Sequence, residues 1–196
     1  LIDLGITSKI KIIGHGIEIN KNFKLNVKKN KIKKVIFFSR IHIKKGLLEL
    51  IESWNNINKH QEWLLQIFGP ISDSHYFNKI KKKIKELKLE KNVLYLGAVF
   101  SSSEKKKIFE NADGFILPSK SENFGISIGE ALSYGLPVLT TFETPWKLIN
   151  DYKAGFVFNF SKKEIESNLL RFFNLSDLER YEMGNRGSCG SCNCRN

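Results

Sequence analysis

Short apolar runs alternate with longer amphipathic stretches from residue 35 onward. Val35, Ile36, Phe37 and Phe38 form a continuous apolar run, the pattern of a strand buried on both faces. Residues 46–58 place Leu47, Leu50, Ile51 and Trp54 on one stripe at helical spacing. Residues 63–68 predict a second strand, closed by Gly69-Pro70, and residues 76–89 a second helix with Phe77, Ile80, Ile84 and Leu87 inward. The alternation continues with strands over 93–96, 114–117, 137–140 and 155–158. Helices are predicted over 103–111, with Ser103 as N-cap, over 126–134, ended by Gly135, and over 162–173. Strands separated by helices predict an α/β fold: a doubly wound, Rossmann-like parallel sheet with helices on both faces. In such a sheet ligands bind beyond the C-terminal ends of the strands, so chemistry is expected after Phe38, Phe68, Leu96, Leu117 and Thr140.

The first 34 residues are less core-like. Residues 10–13 predict one strand, followed by Gly14-His15-Gly16 and a Lys/Asn-rich stretch over 20–34 that has the composition of a linker. The expected organisation is therefore a border segment over 1–34, a globular domain over 35–187 and an irregular tail over 188–196. With Leu at position 1 and Met183 as the one methionine, the chain is expected to be a fragment or a processed form.

Composition narrows the class. With 196 residues, 41% hydrophobic and 12% aromatic, the chain can bury one sizeable core, which excludes intrinsic disorder. No apolar run approaches the roughly 18 residues of a membrane-spanning helix, and residues 1–13 lack the apolar centre of a secretory signal. The net charge of +12 favours polyanionic partners, yet only five of the 32 basic residues are Arg, the main reader of bases and phosphate forks. The Lys run over 79–88 is a phosphate or membrane patch in one reading and a solvated helix face in the favoured one. The three cysteines, Cys189, Cys192 and Cys194, all lie in the tail. The cysteine-free body suits a reducing compartment, and the C-x2-C-x-C lacks the fourth ligand of a zinc site.

The chemistry gathers after two strands. Ser39-Arg40-Ile41-His42-Ile43-Lys44-Lys45-Gly46 puts two cations, Arg40 and Lys45, five residues apart in a strand-to-helix loop, as needed to bind a diphosphate without a metal. Pro118-Ser119-Lys120-Ser121-Glu122-Asn123-Phe124-Gly125 opens a helix whose free N–H groups form an anion site. Glu122 before that helix and Glu130 within it suit sugar hydroxyls, since an ionised carboxylate is a strong acceptor. Taken singly, they also suit a dipole-stabilised N-terminal acid and a surface glutamate. Asp113 reads as turn chemistry rather than as a metal ligand, and His42 as a surface residue in the phosphate loop.

Ser39-Arg40…Lys45-Gly46, Gly97 after a strand, Ala112-Asp113-Gly114-Phe115-Ile116-Leu117-Pro118-Ser119, Glu122…Glu130-Ala131-Leu132 and Gly135-Leu136-Pro137-Val138 occur in this order. The set resembles the C-terminal, donor-binding domain of glycosyltransferase family 4, one half of the two-domain GT-B fold, over roughly residues 10–187. The glutamates match that family's E-x7-E motif. Thr140-Thr141 and Thr144-Pro145-Trp146 are similar to bacterial members acting on lipopolysaccharide or other surface polysaccharides.

The resemblance implies a retaining glycosyltransferase. Arg40 and Lys45 would bind the donor diphosphate and stabilise it as it leaves. Glu122 would hold the transferred sugar, with backbone contacts from Asn123, Phe124, Gly125 and Ile126. Glu130 would take the ribose hydroxyls, and the turn at Gly97-Ala98-Val99 would lie near the nucleobase. The donor would be a nucleotide sugar, the acceptor a glycan or glycolipid held through a missing N-terminal domain. No metal or other cofactor and no nucleic acid are implied. The expected location is cytoplasmic, with peripheral contact to an anionic membrane. Two further readings stay open: a truncated donor-binding module without transfer activity, and a basic nucleic-acid-binding domain.

Overall fold

The computed structural model describes residues 32–57 and 63–188. The strand expected over 10–13, the His15-Gly16 turn and the three cysteines lie outside them. Six strands form one parallel sheet: β1 (Lys33–Phe38), β2 (Trp63–Phe68), β3 (Val93–Tyr95), β4 (Gly114–Leu117), β5 (Val138–Thr141) and β6 (Gly155–Phe158). Their order is β3-β2-β1-β4-β5-β6, which puts the topological switch between β1 and β4. Each strand is read in the sequence to within two residues, because a strand covered on both faces is apolar throughout. The sheet core runs through Val35, Ile36 and Phe37 in β1, Leu65 and Ile67 in β2, and Phe115, Ile116 and Leu117 in β4, all fully buried.

Among the described residues five helices connect the strands, α1 (Leu47–Ile57), α2 (Ser74–Glu86), α3 (Ser102–Asn111), α4 (Ile126–Ser133) and α5 (Leu148–Asp151), and two follow β6, α6 (Lys162–Phe173) and α7 (Asp177–Ser188). α1 packs against α2 and α6, while α4 meets α7. Buried aromatic rings fill both layers. Trp54 and Trp63 pack on Phe173 at centroid distances of 5.3 and 4.4 Å, and Phe109 of α3 lies between Phe38 and Tyr134. Lys79, Lys81, Lys82 and Lys85 face solvent on α2. Among the described residues no helix is long and apolar enough to cross a membrane.

Two details depart from the sequence reading. The N-cap of α3 is Ser101, not Ser103; the Ser101 hydroxyl accepts the Glu104 N–H three residues on, the reach of an N-cap. α7 and the short α5 were not expected. α7 is anchored at its start, where the Lys33 ammonium bonds Asp177 at 2.5 Å. Arg180, buried, pairs with the same carboxylate and lies 5.1 Å from the Trp63 ring centroid. This cluster closes the N-terminal ends of β1 and β2, opposite the ligand end of the sheet.

Hydrogen bonding from Lys33, reinforced by Arg180, holds the Asp177 carboxyl below its ordinary value. Its stabilising contribution is therefore present above the unfolded-state carboxylate pKa and lost as pH falls through the lowered folded value. Asp177→Asn should destabilise the fold at pH 7, and the gap to wild type should narrow toward pH 3. Urea unfolding at the two pH values checks this; a gap that stays constant would show that the carboxylate charge contributes nothing.

Candidate active site

The loop after β1 is shaped by a single 3-10 turn, Ile43–Lys45. His42 caps it, its Nδ1 accepting the Lys44 N–H at 3.2 Å, so this histidine has a local structural task. Gly46 ends the turn at φ +68, a left-handed conformation that side chains disfavour. A Cβ at Gly46 would stand 2.0 Å from the Pro118 carbonyl oxygen. Only a glycine lets the β1–α1 loop come this close to the β4–α4 loop.

Polar bonds then join the two loops. The Lys44 carbonyl accepts from Lys120 N at 2.8 Å and from the Ser119 hydroxyl at 3.1 Å, and Lys120 reaches Glu49 of α1 at 2.6 Å. Behind Gly46 the Tyr76 hydroxyl accepts the Leu48 N–H at 3.0 Å, satisfying a first-turn donor of α1. Burial pushes the Tyr76 phenol up to about 12, so it remains protonated at every physiological pH.

The β4–α4 loop is braced from its other side by the threonines after Leu139. Thr140 donates to the Leu117 carbonyl at 2.9 Å, Thr141 to Ser119 O at 2.5 Å, and Thr144 back to Thr141 O at 2.9 Å. Trp146 Nε1 donates to the Phe124 carbonyl at 2.5 Å and its ring packs 5.4 Å from that of Phe124. Gly125, at φ +76, turns the chain into α4; a Cβ there would press on Ile128, Glu122 and Trp146. These braces fix where the first N–H groups of α4 point.

The outcome is a cleft of about 160 Å³ lined by Arg40, Lys44, Lys45, Ser121, Glu122 and Asn123. Lys45 is buried, its side chain only 8% exposed, and its ammonium bonds Glu122 Oε2 at 2.5 Å. Arg40 is exposed at the rim, with no ion pair among the described residues. The structure thus brings Arg40, Lys45, Glu122 and Asn123 together as the sequence expects, with Phe124, Gly125 and Ile126 forming the adjoining entry to α4. Glu130 lies in the second turn of α4 and pairs with Lys105 of α3 at 2.7 Å. Gly97 and Val99 follow β3, two strands from β1, and do not line this cleft. Gly97 takes φ +90 with open space around it, and its carbonyl accepts from Gly69 N at 2.8 Å. Asp113, buried, accepts the Lys34 N–H at 2.8 Å, which is a structural task. Among the described residues no three His, Cys, Asp or Glu side chains cluster as a metal site would need.

Sequence reasoning missed Lys105, Glu49 with Lys120, and the bracing threonine hydroxyls. The Thr140-Thr141 pair at a strand end was a usable signal, since a buried hydroxyl must find a partner.

A six-stranded parallel sheet flanked by helices in this order is the Rossmann-like fold of the C-terminal domain of GT-B glycosyltransferases. The chain belongs to the glycosyl transferases group 1 family, whose model matches residues 18–187. It is 38% identical over 117 residues to the poly(glycerol-phosphate) alpha-glucosyltransferase of Bacillus subtilis, covering 59% of this chain and 16% of that protein. It is 30% identical over 191 residues to an uncharacterized 41.2 kDa protein in the cps region of Klebsiella pneumoniae, covering 88% of this chain and 49% of that one. The chain therefore spans half or less of the length of these relatives. Among solved structures it is similar to the C-terminal domain of the group 1 glycosyl transferase LpcC of Francisella tularensis, with TM-score 0.72, 24% identity and 80% and 82% of the two chains covered. It also resembles Anabaena HepE in complex with UDP and glucose, with TM-score 0.71, 20% identity and 81% and 43% covered.

Proposed function

We propose that the chain binds a nucleoside diphosphate sugar in the cleft between the β1–α1 and β4–α4 loops and serves as the donor side of a retaining glycosyltransferase. The observation that carries this reading is the meeting of Arg40, Lys45 and Glu122 beside the N-terminus of α4, on two loops bonded to each other. In transfer, the bond from the anomeric carbon to the β-phosphate oxygen breaks and its electron pair stays on the diphosphate. Lys45 and Arg40, with the helix N-terminus, offset that growing charge. The acceptor hydroxyl forms the new bond on the same face and gives its proton to the leaving diphosphate. Glu122 holds the sugar hydroxyls through the oxygen not bonded to Lys45, and Glu130 holds the ribose. The acceptor is a surface polysaccharide or lipopolysaccharide-type glycan, a reading supported by the relatives named for poly(glycerol-phosphate) glucosylation and for a cps region. The acceptor side of the cleft is assigned to none of the described residues.

The Lys45–Glu122 pair gives a test with a definite sign. Removing Glu122 frees Lys45 for phosphate. Glu122→Ala should therefore bind plain UDP or GDP as tightly as wild type or more so, yet lose the extra affinity of the sugar-bearing form. Calorimetry with each nucleotide, alone and as its glucose or mannose derivative, measures both quantities. Retention of the full sugar increment by Glu122→Ala would remove the sugar from this residue. Absence of nucleotide binding by wild type would remove the function.

A further inference from the structure

Lys105, Lys106 and Lys107 follow one another in α3, and the helix sends them in different directions. Among the described residues Lys106 pairs with Glu110 on its own helix, at 3.7 Å, and its side chain is 53% exposed. Lys105 instead crosses to α4, where its ammonium donates to Glu130 Oε1 at 2.7 Å. It also lies 5.7 Å from the centroid of the Phe38 ring, at the C-terminal end of β1. Phe38 is wedged between Phe68 and Phe109, at 5.8 and 5.3 Å, so the surface beneath the ammonium is fixed. The pair is partly shielded, with Lys105 31% and Glu130 20% exposed. A lysine restrained by an ion pair and an aromatic ring is unlike the solvated lysines around it.

We infer that Lys105 is a positioning residue that aims the Glu130 carboxylate at the donor's ribose and so sets discrimination between ribose and deoxyribose. This rests on the reading of Glu130 as the ribose acceptor. The physical case has two parts. A glutamate alone on a helix samples many rotamers, and each must be given up when it binds. Lys105 fixes one carboxylate oxygen and leaves Oε2, which takes no hydrogen bond from a described residue, as the acceptor. The second part is charge. A bare carboxylate near a bound diphosphate repels it, and Lys105 cancels that repulsion without occupying the second oxygen. Glu122 is compensated in the same way by Lys45, so Glu122 and Glu130 are each paired with a lysine.

The test uses the 196-residue chain with UDP, GDP and ADP and their 2′-deoxy and 3′-deoxy counterparts. Calorimetry compares wild type, K105M, K105R, E130Q and the K105M/E130Q double variant. Wild type should prefer the ribonucleotide by about tenfold, the scale of a hydrogen bond to a charged acceptor. K105M should cut that preference severalfold, K105R should keep most of it, and K105M should add nothing once E130Q is present. A K105M protein with the wild-type preference overturns the inference while leaving the donor site intact. Equal weakening of ribo and deoxy forms, with a lowered Tm, also overturns it, because Lys105 would then only support the fold. Wild-type protein that binds none of the nucleotides overturns the donor reading and this inference with it.

Discussion

Lys45→Ala should weaken UDP or GDP binding by about 3 kcal/mol, roughly a hundredfold, the upper range for a charge-assisted hydrogen bond. Arg40→Ala should cost less, about 1 kcal/mol, because an exposed cation is screened by water and salt. The contrast comes from burial: Lys45 is 8% exposed and Arg40 lies at the rim. Loss of Lys45 has a second consequence. It strips Glu122 of its counter-ion and leaves a partly buried carboxylate facing the place proposed for the phosphates. The Lys45→Ala, Glu122→Ala pair of changes should therefore be less damaging than Lys45→Ala alone. Calorimetric titration of the single and double variants, with thermal unfolding as a control, measures this. If Lys45→Ala retained wild-type nucleotide affinity, the β1–α1 loop would not be the phosphate site.

The central strands were legible in the sequence because full burial leaves no alternative to an apolar run. The candidate cleft was legible because Arg40 and Lys45 lie five residues apart in one loop and Glu122 stands at the entry to the next helix, with Glu130 eight residues further on within α4. Less legible were choices among identical neighbours. Ser101, Ser102 and Ser103 are equivalent by composition; the Ser-x-x-Glu spacing to Glu104 selects Ser101 as the cap. Among Lys105, Lys106 and Lys107 only the phase of α3 against α4 singles out Lys105. α7 escaped notice for another reason. Its buried face carries Gly184 and Gly187 along with Met183, so no hydrophobic stripe announces it. A Cβ at Gly184 would stand 1.9 Å from the Gly135 carbonyl oxygen, so the helix docks by closeness of approach rather than by apolar bulk. The Thr140-Thr141 pair signals buried hydroxyls, but their partners, Leu117 and Ser119, could not be read because they are more than twenty residues away in the chain.

Gly46→Ala should have the largest effect of any single methyl added at the site. Alanine at φ +68 costs about 1–2 kcal/mol in backbone strain. Its Cβ must also move away from the Pro118 carbonyl oxygen, at 2.0 Å, and from Phe160, at 2.9 Å, an overpacking term of about 1–3 kcal/mol. The first obstacle is backbone rather than a flexible side chain, so relief requires the β1–α1 and β4–α4 loops to separate. That motion breaks the bonds from Ser119 and Lys120 to the Lys44 carbonyl and pulls Lys45 away from Glu122. The expected result is a loss of about 2–5 kcal/mol in urea unfolding together with loss of nucleotide binding. Ser119→Ala loosens the same junction more gently, since the hydroxyl shares its one proton between Lys44 O at 3.1 Å and Ser121 O at 2.9 Å. It should cost about 1 kcal/mol of stability, as for a lost hydrogen bond, and leave the chain folded. Nucleotide affinity should nevertheless fall in that variant, because the two charged loops then share one bond fewer. Wild-type affinity in a folded Ser119→Ala protein would show that each loop holds its shape alone and that the junction at Gly46 serves stability only.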